Sequence, residues 1–148
     1  MTKTRRSFLE RHSLTLVSAA ILALWIVLYR VSSPNSHIGA FYGNAVADWT
    51  GLMVMIVATK FLYERGSAES RMPRPKFMPG LREFIHEHSL TIFLVVSGVG
   101  WIIWYAKSDP QGKWGQVIGN IVSEWTQILG LVLLTKRLIE KGSKESRR

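Results

Sequence analysis

Residues 14–29 read LTLVSAAILALWIVLY and carry no ionisable side chain before the terminal tyrosine. Residues 90–106, LTIFLVVSGVGWIIWYA, repeat this pattern. A helix on the surface of a soluble protein has a polar stripe recurring every three to four residues, and neither segment has one. Their lengths approach the roughly 20 residues that cross a hydrocarbon core of about 30 Å. The two segments therefore predict membrane-spanning helices.

The sequence repeats itself at a separation of 76 residues. HSLT at residues 12–15 returns at 88–91, and 26 of the 67 pairs that align residues 5–71 with 81–147 are identical, without a gap. Each copy holds two spans, so both copies enter the membrane in the same direction. This pattern indicates parallel repeats about an axis along the membrane normal.

The duplication predicts an all-α bundle of four transmembrane helices. The first two-helix repeat covers residues 1–71 and the second covers 81–148, and the three prolines of 72–80 indicate a linker. The expected helices are 13–31, 36–66, 89–107 and 112–142. At roughly 28 residues and about 42 Å, the second helix of each repeat exceeds the hydrocarbon core, so it should tilt or protrude.

Positive charge falls on one side of the predicted membrane. Of 19 Lys and Arg residues, 16 precede the first span, separate the second span from the third, or follow the fourth. Only Arg30, Lys107 and Lys113 lie in the other two loops. The positive-inside rule therefore predicts that both termini are cytoplasmic. The net charge of +9 follows from this topology, and we predict no nucleic-acid partner.

Polar residues form a stripe along the second helix of each repeat. The stripe holds Asn44, Asp48 and Thr59 in the first copy and Asn120, Glu124, Gln127 and Thr135 in the second. A charged residue deep in a span costs roughly 2.5–3.5 kcal/mol on insertion scales and tends to face the bundle interior.

If these helices begin near residues 36 and 112, Asp48 and Glu124 lie near mid-depth, where they can line a proton or cation path. If the helices begin two turns later, the carboxylates lie in the first turn, where the helix dipole stabilises them at the interface.

Each repeat also contains a GxxxG spacing at the start of its second helix. The pairs are Gly39 with Gly43 and Gly115 with Gly119. Glycines at this spacing allow backbones to approach closely in membrane helix packing. The alternative is that they only loosen the outer end of the helix.

Other polar residues have simpler interpretations. Lys60 and Lys136 are predicted to snorkel to the cytoplasmic interface, and His12 and His88 flank the inner ends of the first and third spans. The chain has no cysteine and no phosphate loop, HExxH, GxSxG or paired acid/base motif. We predict no metal site, no cofactor and no enzymatic activity.

The segments DWTGLMVMIVATKFLYERGSAESR at 48–71 and EWTQILGLVLLTKRLIEKGSKESR at 124–147 resemble one family. It is a group of small bacterial inner-membrane proteins of unknown function, which share an acidic–Trp pair, a span and a GSAES-type tail. The HSLT openings resemble the first span of that group. This chain departs from the group in carrying the unit twice, with very short outer loops. The resemblance implies a bacterial inner membrane and no particular activity.

Two classes of function fit these features best. The first is a non-enzymatic membrane subunit or scaffold, because four short helices bury little interior and should pack in the bilayer with further copies or with other membrane subunits. The second is a small proton or cation channel or transporter, in which Asp48 and Glu124 interact with the ion. A membrane enzyme is a minor third interpretation.

Overall fold

The computed structural model describes residues 8–70, 80–109, 111–139, 141 and 143, which lie entirely in helices, turns and loops. The helices are α1 (Phe8–Val31), α2 (His37–Phe61), α3 (Leu81–Glu87), α4 (Ser89–Lys107) and α5 (Lys113–Leu134). All except α3 are long and apolar enough to cross a membrane. The prediction of an all-α bundle of four transmembrane helices is confirmed. The predicted linker at 72–80 lies outside the described residues except for Gly80.

The helix starts follow the prediction more closely than the ends. α4 has the predicted bounds, and α1 begins five residues earlier than expected, with Glu10 in its first turn. α2 begins directly after Ser36, whose side chain caps the helix by accepting a hydrogen bond of 3.0 Å from the Gly39 amide. α5 begins directly after Gly112.

The predicted ends of the second helices, at residues 66 and 142, are wrong. α2 stops at Phe61 and α5 at Leu134. Residues 62–70, here called the strap, leave α2 as an extended and turning segment that packs beside the junction of α3 and α4. There the Tyr63 carbonyl accepts a hydrogen bond of 3.1 Å from the Leu90 amide. This insertion into the helical hydrogen-bond ladder accompanies the break between α3 and α4 at His88.

The four spans pack in the order α1, α2, α5, α4. α2 and α5 form the centre, and α1 and α4 present apolar residues such as Val17, Leu24, Val96 and Ile102 outward, as expected for helices that face lipid. The core side chains are Tyr29, Val46, Ala47, Ala58, Leu90, Leu94, Val117, Ile121, Trp125 and Val132. The end of the bundle with the strap and Lys136 is here called the basic end, and the end with the two hairpin connections the loop end.

The GxxxG glycines make contacts inside each hairpin. A Cβ atom on Gly39 would lie 1.8 Å from the Ser33 carbonyl oxygen, and one on Gly115 would lie 1.9 Å from that of Asp109. These two glycines therefore accommodate the loop backbone, which differs from the helix–helix contact predicted for them. Gly43 and Gly119 do meet the preceding helix, because a Cβ on either would lie 3.0 Å from a tyrosine ring, that of Tyr29 or Tyr105.

The substitution Gly115→Ala should destabilise the chain, whereas Gly130→Ala on the same helix should not. The Asp109 carbonyl is backbone and cannot rotate away, so we expect a loss at or above the roughly 1–3 kcal/mol typical of over-packing. A Cβ on Gly130 meets nothing within 4 Å, and alanine is favoured over glycine in a helix by up to about 1 kcal/mol. Thermal unfolding in detergent, followed by circular dichroism, measures both. Equal melting temperatures for the two variants would contradict this packing.

Candidate functional site

Equivalent residues of the two repeats meet where α2 packs on α5. The Asn120 side-chain amide donates a hydrogen bond of 2.5 Å to the Asn44 side-chain carbonyl. One turn further along, the Glu124 carboxyl lies beside the Asp48 carboxyl. Two pairs of equivalent residues from the predicted polar stripes therefore lie side by side, and α2 and α5 run in the same direction.

The helix starts place the acidic pair at mid-helix. Asp48 is the twelfth of the 25 residues of α2, and Glu124 is the twelfth of the 22 residues of α5. The alternative in which the helices begin two turns later, with both carboxylates in the first turn, is wrong. Gly51 allows the close approach here, because a Cβ on it would lie 3.1 Å from Ile128 Cδ1 and 3.4 Å from Glu124 Oε2.

This polar contact opens onto one side of the α2–α5 pair. Asn44 and Asp48 are exposed, and Asn120 and Glu124 are half-buried. The exposed side chains of Ser123 and Gln127 continue the polar surface on α5. Together these six residues, Asn44, Asp48, Asn120, Ser123, Glu124 and Gln127, are here called the polar face. It lies at the surface of the single chain, at the depth of the apolar helices.

The two predicted threonines lie away from the polar face. The Thr59 hydroxyl donates to the Met55 carbonyl of its own helix at 2.5 Å. The Thr135 hydroxyl donates to the Leu131 carbonyl at 2.8 Å and lies 3.1 Å from the Ser67 hydroxyl of the strap. Both residues therefore lie toward the basic end, and Thr135 helps to hold the strap.

A buried ionic cluster at the basic end was missed by sequence reasoning. The strap carries Glu64, whose side chain is fully buried at 0% exposure. Its carboxylate lies 2.5 Å from Lys136 Nζ and 2.7 Å from His88 Nδ1, and it accepts a hydrogen bond of 3.2 Å from the Thr91 amide. Glu64 thus joins the end of α2 to the start of α4 and the end of α5.

The electrostatics of this cluster favour an ionised carboxylate. Burial acts to raise the pKa of Glu64, but hydrogen bonds from Lys136, Thr91 and His88 outweigh it and hold that pKa below its ordinary value. Lys136 is therefore an ion-pair partner of a buried carboxylate, whereas the sequence predicted that it would snorkel. Lys60, its counterpart in the first repeat, is exposed and lies over the Phe61 ring.

Further strap contacts reinforce this attachment. Arg65 Nη1 lies 2.9 Å from Glu87 Oε2, and the Glu64 amide donates to the Ser70 hydroxyl at 3.0 Å. A sequence signal for this cluster exists, because Glu64, His88 and Lys136 have identical counterparts in the other copy. Each position alone has a simpler interpretation, and nothing in the sequence indicates that the strap of one repeat reaches the helices of the other.

The four apolar spans define an α-helical multi-pass membrane protein. Comparisons with protein-family models, with curated proteins and with solved structures find no match for this chain. Within the described ranges, no group of three or more His, Asp or Glu residues is arranged to hold a metal ion. The candidate functional features are thus the polar face in the spans and the Glu64 cluster at the basic end.

Proposed function

We propose that this protein is a non-enzymatic subunit of a membrane assembly, and that the polar face of α2 and α5 is covered by protein in that assembly. The observation that supports this most directly is the exposed Asp48 carboxyl at mid-helix, beside Glu124. Placing a charged residue at the centre of a lipid-facing helix costs roughly 2.5–3.5 kcal/mol on insertion scales. Such side chains lie against other helices or water-filled cavities, so a further subunit has to supply that environment.

The distribution of apolar surface agrees with this proposal. Between Leu14 and Val27 of α1 and between Ile92 and Trp104 of α4 the exposed large side chains are apolar, so these faces are suited to lipid. The polar face is formed only by the two central helices. A chain with this arrangement can pack its centre against a neighbour while its flanking helices remain in lipid. We place it in a bacterial inner membrane with both termini cytoplasmic, because the basic end would then carry the topogenic positive charge.

A small proton or cation channel or transporter is the second candidate. The observation that favours it is the stacking of an amide pair, Asn44 with Asn120, one helical turn from an acidic pair, Asp48 with Glu124. Polar groups that repeat at one-turn intervals line a path through the membrane if the assembly keeps water beside them.

A spin-label experiment tests whether the polar face is covered. The chain has no cysteine, so a single nitroxide can be attached at Asn44→Cys or, as a matched control, at Val96→Cys. Val96 is 68% exposed on the outer face of α4. In proteoliposomes the label at position 96 should collide freely with oxygen dissolved in the lipid, and the label at position 44 should be shielded. Equal oxygen accessibility at the two positions would contradict the proposal.

A further inference from the structure

At the loop end, a side chain of the first repeat contacts the second repeat, and the equivalent contact in the opposite sense is absent among the described residues. The Tyr29 hydroxyl of the first repeat donates to the Lys113 carbonyl of the second, and its ring meets Trp114 at a centroid distance of 5.3 Å. Tyr29 is consequently only 1% exposed. Its counterpart Tyr105 is 42% exposed, and among the described residues no hydrogen bond joins it to His37, the counterpart of Lys113. Ile38 stands at the position of Trp114.

At the basic end, the first repeat again contacts the second, and among the described residues the equivalent contact in the opposite sense is absent. The strap of the first repeat places Glu64 on His88 and Lys136 of the second repeat. The corresponding receiving residues of the first repeat are His12 and Lys60. In the described part of the chain they have no acidic partner: His12 stacks on the Phe8 ring, and Lys60 lies over the Phe61 ring.

These contacts form a heterologous, or head-to-tail, interface, in which two different surfaces meet. The first repeat supplies the surface with Tyr29 and Glu64, here called the donating surface, and the second repeat supplies the receiving surface. A two-fold relation between the repeats would bury Tyr105 against the start of α2, as Tyr29 is buried against the start of α5. Instead, among the described residues, no such contact covers the donating surface of the second repeat at Tyr105, nor the receiving surfaces of the first repeat at Ile38 and at His12 with Lys60. Heterologous contacts close into rings when the rotation allows it. Parallel spans held at one depth in a bilayer restrict that rotation to an axis along the membrane normal.

We propose that copies of this chain join head to tail into a closed ring, in which the second repeat of each copy packs on the first repeat of the next. The interface between copies would repeat the interface that already joins the two repeats within one chain. This inference rests on the proposed function, because it names the partner that covers the polar face as a second copy of the chain.

The amide groups of the polar face fit this arrangement. The NH₂ group of the Asn120 side chain donates a hydrogen bond to the side-chain carbonyl of Asn44. The Asn44 NH₂ group and the side-chain carbonyl of Asn120 can therefore form further hydrogen bonds. In a ring, Asn44 of the next copy would donate to Asn120 of the preceding one, and the amides would form a continuous circle. The acidic pairs would then form a second circle one helical turn away. The polar faces of neighbouring copies would thus meet around the ring axis, away from lipid.

The receiving site at the basic end differs from its filled counterpart in two respects. α1 continues unbroken through His12, whereas the helix breaks at His88. Arg11 occupies the position that corresponds to Glu87, so the ion pair between Arg65 and Glu87 has no equivalent between copies. Glu140, at the position that corresponds to Glu64, lies outside the described residues. The test of the proposal therefore uses the loop end, where both surfaces are described.

Thiol crosslinking distinguishes a ring from a closed two-repeat unit. The first variant carries Ile38→Cys and Tyr105→Cys, which are on the two free surfaces. The matched control carries Tyr29→Cys and Trp114→Cys at the equivalent positions of the contact within the chain. Each is treated in native membranes with a short bifunctional thiol reagent and separated on a denaturing gel. We expect the first variant to give covalent oligomers and the control to give only internally linked monomer.

The outcomes separate the proposals. Internally linked monomer from the Ile38/Tyr105 variant, or no product beside a crosslinked control, would overturn the ring. If position 44 is nevertheless shielded in the spin-label experiment, the subunit proposal survives and the ring alone fails.

Because a tyrosine substitution can impair folding, the unsubstituted protein provides a second measurement. Native mass spectrometry should give the mass of two or more copies of the chain. A monomer or a complex with a foreign subunit would overturn the ring.

Discussion

Replacing Glu64 with alanine should lower the free energy of unfolding by about 3–5 kcal/mol, the range for removal of one partner of a buried ion pair. The carboxylate is fully buried and is the acceptor for Lys136, His88 and the Thr91 amide. Without it, the Lys136 ammonium loses this carboxylate, and the strap loses its attachment to α4 and α5. Lys136 retains 25% exposure, so partial hydration places the loss toward the lower end of the range.

The effect of this cluster should also depend on pH. Because the pKa of Glu64 is lower in the folded protein than in the unfolded chain, its ion pairs stabilise the fold above the ordinary carboxyl pKa. That stabilisation is lost as the pH falls through the lowered pKa of the folded state. The difference in stability between the natural chain and Glu64→Ala should therefore be largest near neutral pH and should shrink on acidification.

Two further variants test the cause of this effect. Glu83→Ala removes an exposed acid from α3, and a surface change of this kind should stay within about 0.5 kcal/mol. Glu64→Ala combined with Lys136→Met removes both charges and should cost less than Glu64→Ala alone, because the ammonium is removed together with the carboxylate that it contacts. Unfolding in a denaturing detergent titration measures all three. A Glu64→Ala variant as stable as Glu83→Ala would contradict the buried pair.

The double variant Asp48→Asn with Glu124→Gln should abolish proton or cation flux in proteoliposomes if the polar face conducts. Amides keep the size and hydrogen-bonding capacity of the carboxyls but cannot carry the charge or release the proton. The assembly should remain intact, because the Asn44–Asn120 hydrogen bond and the apolar α2–α5 core are unchanged. Flux is followed with a pH-sensitive or cation-sensitive dye enclosed in the vesicles.

The control for this experiment is Glu83→Gln, which removes an acid outside the spans. It should leave any flux unchanged and should have the same assembled mass as the natural chain. Unchanged flux in the Asp48/Glu124 variant would remove the channel candidate and leave the non-enzymatic subunit as the function.

The spans could be predicted from sequence because hydrophobicity is a local property. The uninterrupted apolar runs located α1 and α4, whereas the sequence leaves the start of α2 open between residues 36 and 43, and the Ser36 side-chain cap in the structure decides it. The position of Asp48 and Glu124 near mid-helix followed once those starts were known. Their mutual contact was open to prediction because equivalent residues of parallel repeats lie at equal depth.

The strap and its cluster could not be predicted in the same way. Gly66 favours a helix end at that residue, and no local signal indicates that α2 stops at Phe61. The helix ends there because Glu64 of the strap contacts His88 and Lys136, which are more than 20 residues away in the chain. Nothing in the sequence indicates either that Tyr29 is buried while Tyr105 is exposed. These two tyrosines occupy equivalent positions of the repeats, and they differ in what the rest of the chain places beside them.

The native mass and composition of the complex, extracted gently from the membrane, decide whether copies of this chain cover one another's polar face. We expect a single species made of several copies of this chain, in which the polar face of each copy is covered by its neighbour. Stoichiometric foreign subunits would keep the subunit function and replace the ring with a mixed assembly. A stable monomer would contradict the account, because Asp48 and Glu124 would then face lipid.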